Sequence, residues 1–243
     1  MVQNRTGILR TLPVEMEIPS GSKAQTYEKA SEIIKNAPRP LAVAKCSCRK
    51  LARRAGRGCD RPVENCIVFG DHARFQIEHG HGREIDETEA QKILKEAEQA
   101  GLVHNIMNFT ESEGSSYLCN CCSCCCSTLA AINRLSPEGE ISGLSPSNFV
   151  AEVDIDQCSG CELCETYCTL KAIHIEDGMP VVNAARCLGC GLCATHCPVA
   201  AIRLVRRPED RMIHYPKTMD DLYNRVRSEV RDLRKGVSER KPG

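Results

Sequence analysis

Cys158-Ser-Gly-Cys161-Glu-Leu-Cys164-Glu-Thr-Tyr-Cys168 is answered, beginning 29 residues after its first cysteine, by Cys187-Leu-Gly-Cys190-Gly-Leu-Cys193-Ala-Thr-His-Cys197-Pro198. The likeness runs on past each fourth cysteine: Thr-Leu-Lys-Ala-Ile-His-Ile at 169–175 matches Pro-Val-Ala-Ala-Ile-Arg-Leu at 198–204. Repetition in this register marks one structural unit used twice. A cubane iron–sulfur cluster offers four iron corners, each wanting one thiolate, and three thiolates two residues apart let a tight loop wrap three of them. Gly160, Gly189 and Gly191 relieve crowding where backbone approaches the cluster, and backbone amides there can hydrogen-bond to sulfur. A zinc ribbon would ask for two Cys-x-x-Cys pairs, not two sets of four that each end in Cys-x-x-x-Cys.

Residues 151–206 resemble the two-cluster bacterial ferredoxins. That resemblance implies a ferredoxin-type (βαβ)2 unit holding two [4Fe-4S] clusters, in which the fourth ligand of each cluster comes from the other run. Carried onto this chain, cluster I takes Cys158, Cys161, Cys164 and Cys197, and cluster II takes Cys187, Cys190, Cys193 and Cys168. Thr169 departs from the pattern, which has Pro there; the second run keeps Pro198.

Eighteen cysteines in 243 residues would also suit a disulfide-stapled secreted scaffold. The chain is long for that, its first residues carry no apolar signal core, and many cysteines stand too close together to pair. Metal binding in a cytoplasmic protein is the expected reading. No apolar run reaches the roughly 18 residues of a membrane span. Net charge is zero, but Arg39 to Arg61 carries eight bases and one acid. Residues 151–206 carry seven acids and four bases, and residues 207–243 carry seven acids and ten bases. Small diffusing ferredoxins are usually strongly acidic, so this balance suits a subunit that meets a fixed partner. Balanced charge and few aromatics argue against nucleic acid as that partner.

Ten cysteines remain in the N-terminal half: Cys46, Cys48, Cys59 and Cys66, then Cys119, Cys121, Cys122, Cys124, Cys125 and Cys126. Six thiols in eight residues have no packing rationale, so at least one further metal centre is expected, an iron–sulfur cluster by preference. One or two more cubanes, a non-cubane cluster and a zinc site for part of the set are the options. The stretch from Ala44 to Leu129 resembles the N-terminal halves of multi-cluster ferredoxin-like proteins from anaerobes. The shared pieces are Cys-x-Cys-Arg, Cys59 to Gly70, Ala100 to His104 and the Cys119–Cys126 run. Arg49, Arg53, Arg54 and Arg57 read either as a solvated helix face or as counter-charge to anionic clusters. His72, His79, His81 and His104 read as plain surface residues before ligands.

The fold class that follows is α+β. A cysteine-rich α/β domain spans 1–135, a turn-rich linker 136–149, the two-cluster domain 150–206, and a tail with an amphipathic helix 207–243. Locally, residues 12–19 alternate like an edge strand, 24–36 read as a helix and 41–44 as a strand. Asp86 caps a helix that Gly101 stops, with Leu102 to His104 a strand beyond it. Met219, Leu222, Val226, Val230 and Leu233 form the stripe of a last helix over 218–235, which docks on a partner or on its own chain. With no nucleotide-binding loop or flavin signature in view, the expected function is transfer of low-potential electrons between a redox donor and a partner oxidoreductase. The alternative is a small reductase whose N-terminal centre is catalytic.

Overall fold

The computed structural model describes residues 6–22, 24–111, 116–135 and 143–238, with side chains to Asp232. It is a mixed α/β structure built on a seven-stranded sheet. Its strands are β1 (Leu9–Leu12), β2 (Leu41–Lys45), β3 (Glu64–Phe69), β4 (Gly82–Ile85), β5 (Val103–Met107), β6 (Tyr117–Cys121) and β7 (Leu144–Ser145). The order across the sheet is β4-β2-β3-β6-β5-β1-β7, antiparallel except for the β1–β7 pair. Leu144 and Ser145 lie in the stretch read as a linker, yet they extend this sheet.

The helices between these strands are α1 (Ala30–Asn36), α2 (Ser47–Arg54), α3 (Gly70–Glu78), α4 (Glu87–Gln99) and α5 (Ser127–Leu135). Strand β2 explains the layering. Leu41 and Val43 join Ile67 and Phe69 under α1 and α4, while Ala42 and Ala44 join Val68 beneath Ala73 of α3. A strand covered on both faces carries a continuous apolar run, which is what Leu41-Ala-Val-Ala44 is. Helix α4 starts where its cap requires. The Asp86 carboxylate accepts the Glu89 N–H at 2.7 Å, and Ala90, Ile93, Leu94 and Ala97 are buried. The Glu89 side chain pairs with Arg83 and does not return to the cap, so the capping box is half made.

Two local expectations shift. The extended segment is Leu9–Leu12, and residues 15–17 form a 3-10 turn. Pro13 has no N–H for the ladder, and the Val14 N–H leaves the sheet to donate to the Cys190 carbonyl at 2.8 Å. The helix expected over 24–36 is a 3-10 turn at 26–28 followed by α1.

The repeat region follows as β8 (Phe149–Val153), α6 (Leu163–Tyr167), β9 (Ile173–Glu176), β10 (Met179–Val182), α7 (Leu192–Thr195) and β11 (Ile202–Arg206). β8 pairs with β11 and β9 with β10, both antiparallel. Two-stranded ribbons are marginal alone. Here Leu170, Leu188 and Leu192 pack into one apolar cluster with Val14, Val103, Leu129 and Leu144 of the sheet region.

The tail helix α8 (Met219–Ser238) docks on its own chain at its start. Leu222 is fully buried against Met107 and Phe109, with Met219 and Val226 partly covered, while Val230 is 43% exposed. The Leu233 side chain lies outside the described residues. The Leu222→Ala variant should lower unfolding stability by about 3 kcal/mol, the usual range for a buried leucine. Denaturant melts measure this, and an unmoved midpoint would mean that the contact contributes nothing.

Candidate metal centres

The repeat brings its eight cysteines to two cavities. One is lined by Cys158, Cys161, Cys164 and Cys197, with Gly160 and Pro180 at its wall. The other is lined by Cys168, Cys187, Cys190 and Cys193, with Leu170 and Leu204. In each cavity three cysteines come from one run and the fourth from the other. The exchange follows from chain direction. Each run wraps its loop around one cavity, enters a short helix, and leaves at a turn whose cysteine points to the neighbouring cavity.

Both walls offer N–H groups to sulfur. The Ala172 N–H lies 3.0 Å from Cys168 Sγ and the Ala201 N–H 3.2 Å from Cys197 Sγ, at equivalent points of the repeat. Cys187 Sγ accepts from Gly189 at 3.4 Å and Ala151 at 3.5 Å. Such donors stabilise a ligating sulfur and tune its charge. Burial works the other way: it raises the thiols of Cys164, Cys168 and Cys193, and pushes Cys190 up to about 12. Buried thiols of this kind stay protonated unless a cation takes the proton's place. Four cysteines at each cavity, with N–H groups aimed at Cys168, Cys187 and Cys197, make a donor set that fits the four corners of an iron–sulfur cube. Two arginines brace the second loop through carbonyls: Arg186 donates to Leu170 O at 3.0 Å, and Arg207 to Cys187 O at 2.6 Å.

The ten N-terminal cysteines sort differently from their order in sequence. Cys59 joins Cys122, Cys124 and Cys125, whose four Sγ atoms all lie within 4.8 Å of one another. The other six form a chain of thiol contacts: Cys46 with Cys66, Cys66 with Cys119, Cys119 with Cys121, Cys121 with Cys126, and Cys126 with Cys48. Within that chain, hydrogen bonds from Cys119 and Cys46 hold the Cys66 thiol low against the effect of burial, while bonds to Cys121 and Cys66 push Cys119 up. Cys119, Cys121, Cys126 and Cys190 share an apolar cluster, so the six-thiol chain and the second repeat cavity meet across one packed layer.

Arg49 is not the solvated residue that its helix suggests. It is fully buried and donates to Asn65 Oδ1 at 3.2 Å, Asn120 O at 3.3 Å and Cys122 Sγ at 3.4 Å, with a further bond to Pro62 O. Arg53 reaches back to the Cys59 carbonyl at 2.7 Å, whereas Arg54 and Arg57 face solvent. His104 is likewise buried, between Asn120 at 2.6 Å and Glu98 at 3.1 Å, and Asn120 donates to Asn65 O at 2.6 Å. A polar network thus runs from Glu98 to Cys122. Nothing in the sequence reading singled out Asn65 or Asn120. His72, His79 and His81 are exposed, as expected.

No helix among the described residues is long and apolar enough to cross a membrane. A search of the curated proteins finds no match to the chain. Residues 180–203, which contain Cys187, Cys190, Cys193 and Cys197, match the family described as 4Fe-4S binding domain, so this chain carries an iron–sulfur binding segment of that kind.

Proposed function

We propose that this protein is an electron carrier whose residues 150–206 hold two [4Fe-4S] clusters in a ferredoxin-type (βαβ)2 unit, cluster I on Cys158, Cys161, Cys164 and Cys197 and cluster II on Cys187, Cys190, Cys193 and Cys168. The observation that supports this reading is the pair of four-cysteine cavities in which the fourth cysteine comes from the other run. When bound, such clusters supply one-electron chemistry over a wide range of potentials. The chain's own part is to fix eight thiolates and to aim N–H groups at those of Cys168, Cys187 and Cys197.

The residues between the two cysteine-rich regions support an exchange with the N-terminal half. Leu170, Leu188 and Cys190 belong to the same apolar cluster as Cys121 and Cys126. A relay to a further iron–sulfur centre on the six-thiol chain is the natural use of that contact. The partner is a redox protein or a larger oxidoreductase in the cytoplasm. Lys50, Arg54 and Arg57, all exposed beside the N-terminal cysteines, suit an acidic docking face on it.

The test is the iron, acid-labile sulfide and EPR spectrum of the full chain purified without oxygen. At least about eight irons and as many sulfides per chain are expected from two cubanes. Iron without labile sulfide, or an iron content clearly below about eight per fully folded chain, would sink the assignment.

A further inference from the structure

We infer that Cys59, Cys122, Cys124 and Cys125 bind a single tetrahedral metal ion, zinc, at a site separate from every iron–sulfur cluster. The sulfur spacing is the first ground. Cys59 and Cys122 Sγ lie 3.8 Å apart, Cys59 and Cys125 3.7 Å, and Cys124 and Cys125 3.8 Å. Four thiolates around one ion at a bond length of about 2.3 Å define a tetrahedron with edges of about 3.8 Å. In a cubane the four thiolates bind four different irons on the outside of an inorganic cube, so they stand much farther apart than the ligands of one ion. The space among these four sulfurs admits an ion and leaves no room for bridging sulfides.

The second ground is charge. Arg49 is fully buried, and among the described residues its acceptors are neutral carbonyl oxygens and the sulfurs of Cys122 and Cys59, with no carboxylate. A buried guanidinium needs a nearby anion. Arg61 donates toward Cys124 Sγ at 3.9 Å while its Nε holds the Ala100 carbonyl at 2.8 Å. Four thiolates around a divalent ion carry a net charge of minus two, which two guanidinium groups balance. Neutral thiols would leave Arg49 uncompensated.

The third ground is the way the site is built. One ligand stands between α2 and β3 and three stand in the turn between β6 and α5, and Arg53 pins the first loop through the carbonyls of Cys59 and Arg61. Four protein thiolates with no open position make a structural site, and tetrahedral all-sulfur coordination without redox demand is zinc chemistry. The ion would clip together two loops that already meet in the apolar cluster of Ala52, Ala97 and Leu102.

The experiment uses the full chain from cells grown with both iron and zinc. Elemental analysis should find one zinc per chain besides the iron, and zinc-edge X-ray absorption should show four sulfur neighbours at about 2.3 Å. Cys124→Ser should lose that zinc while iron, labile sulfide and the EPR signals stay at wild-type levels. A wild-type protein without stoichiometric zinc, a zinc shell containing oxygen or nitrogen, or a Cys124→Ser variant that loses iron and sulfide in place of zinc would each overturn the site. The wild-type measurements stand even if the variant fails to fold. The electron-carrier reading is judged separately, by sulfide and EPR.

Discussion

Cys197→Ala is expected to abolish the cluster of Cys158, Cys161 and Cys164 and to spare that of Cys187, Cys190 and Cys193, although Cys197 lies four residues from Cys193 and 33 from Cys164. The reason is the cavity that each sulfur faces. Cys197 lines the wall shared with Cys158, Cys161 and Cys164, and the Ala201 N–H anchors its sulfur there. Removing the thiolate leaves three ligands for four corners and exposes one iron. About four of the irons should be lost from the repeat region, and magnetic interaction between two neighbouring reduced clusters should collapse to the spectrum of one. Cys168→Ala is the mirror experiment and should spare the first cavity instead. If Cys197→Ala selectively removed the cluster of Cys187, Cys190 and Cys193, the exchanged assignment would be wrong.

What the sequence disclosed depended on how local the physics was. The repeat was readable because its residue types and spacing are both local, and the eight cysteines it marks are the ones that line the two cavities. Helix α4 was readable because its cap and its apolar stripe are both local. Strand β2 was readable as an apolar run bounded by Pro40 and the cysteines. The partition of the ten other cysteines was not readable. Cys59 lies 63 residues before Cys122, and what joins them is the β3–β6 pairing in the sheet, a long-range contact with no sequence period. Chain order suggests two groups split between the first four and the last six. The fold instead takes one cysteine from the first group and three from the second. Arg49 and His104 misled for a related reason. A charged residue on a short helix reads as solvated until a partner network becomes visible, and the partners here are Asn65 and Asn120 on other strands. The tail's stripe predicted a docked helix but named no surface for it. Phe109 and Met107 supply that surface from β5 and the turn beyond it.

The two runs look interchangeable, but Gly189→Ala should be far more damaging than Gly160→Ala. Both glycines occupy the same place in the repeat and both have left-handed backbones, with φ of +63° and +69°. An alanine in that conformation costs about 1–2 kcal/mol, and this part of the penalty is common to the two variants. The surroundings differ. A methyl group on Gly160 would meet nothing nearer than the Gly178 carbonyl at 3.5 Å, an ordinary contact. On Gly189 it would fall 2.1 Å from the Phe149 carbonyl oxygen and 2.3 Å from Ser147 Oγ. Those atoms are held fast. The Ser147 hydroxyl donates to Gly189 O at 2.7 Å and accepts the Phe149 N–H, and the Ser147 N–H donates to Leu188 O at 2.9 Å. Relief therefore requires β8 to move off the loop, and with it Ala151, whose N–H reaches Cys187 Sγ. Gly189→Ala should cost upwards of about 3 kcal/mol once strain and displaced strand are combined, and should lose iron from the second cavity first. Gly160→Ala should keep both clusters. Iron content and thermal melts of the two variants decide it: equal melting temperatures and equal iron would show that the second loop tolerates a side chain there, and that the seat of β8 on it does not fix the second cavity.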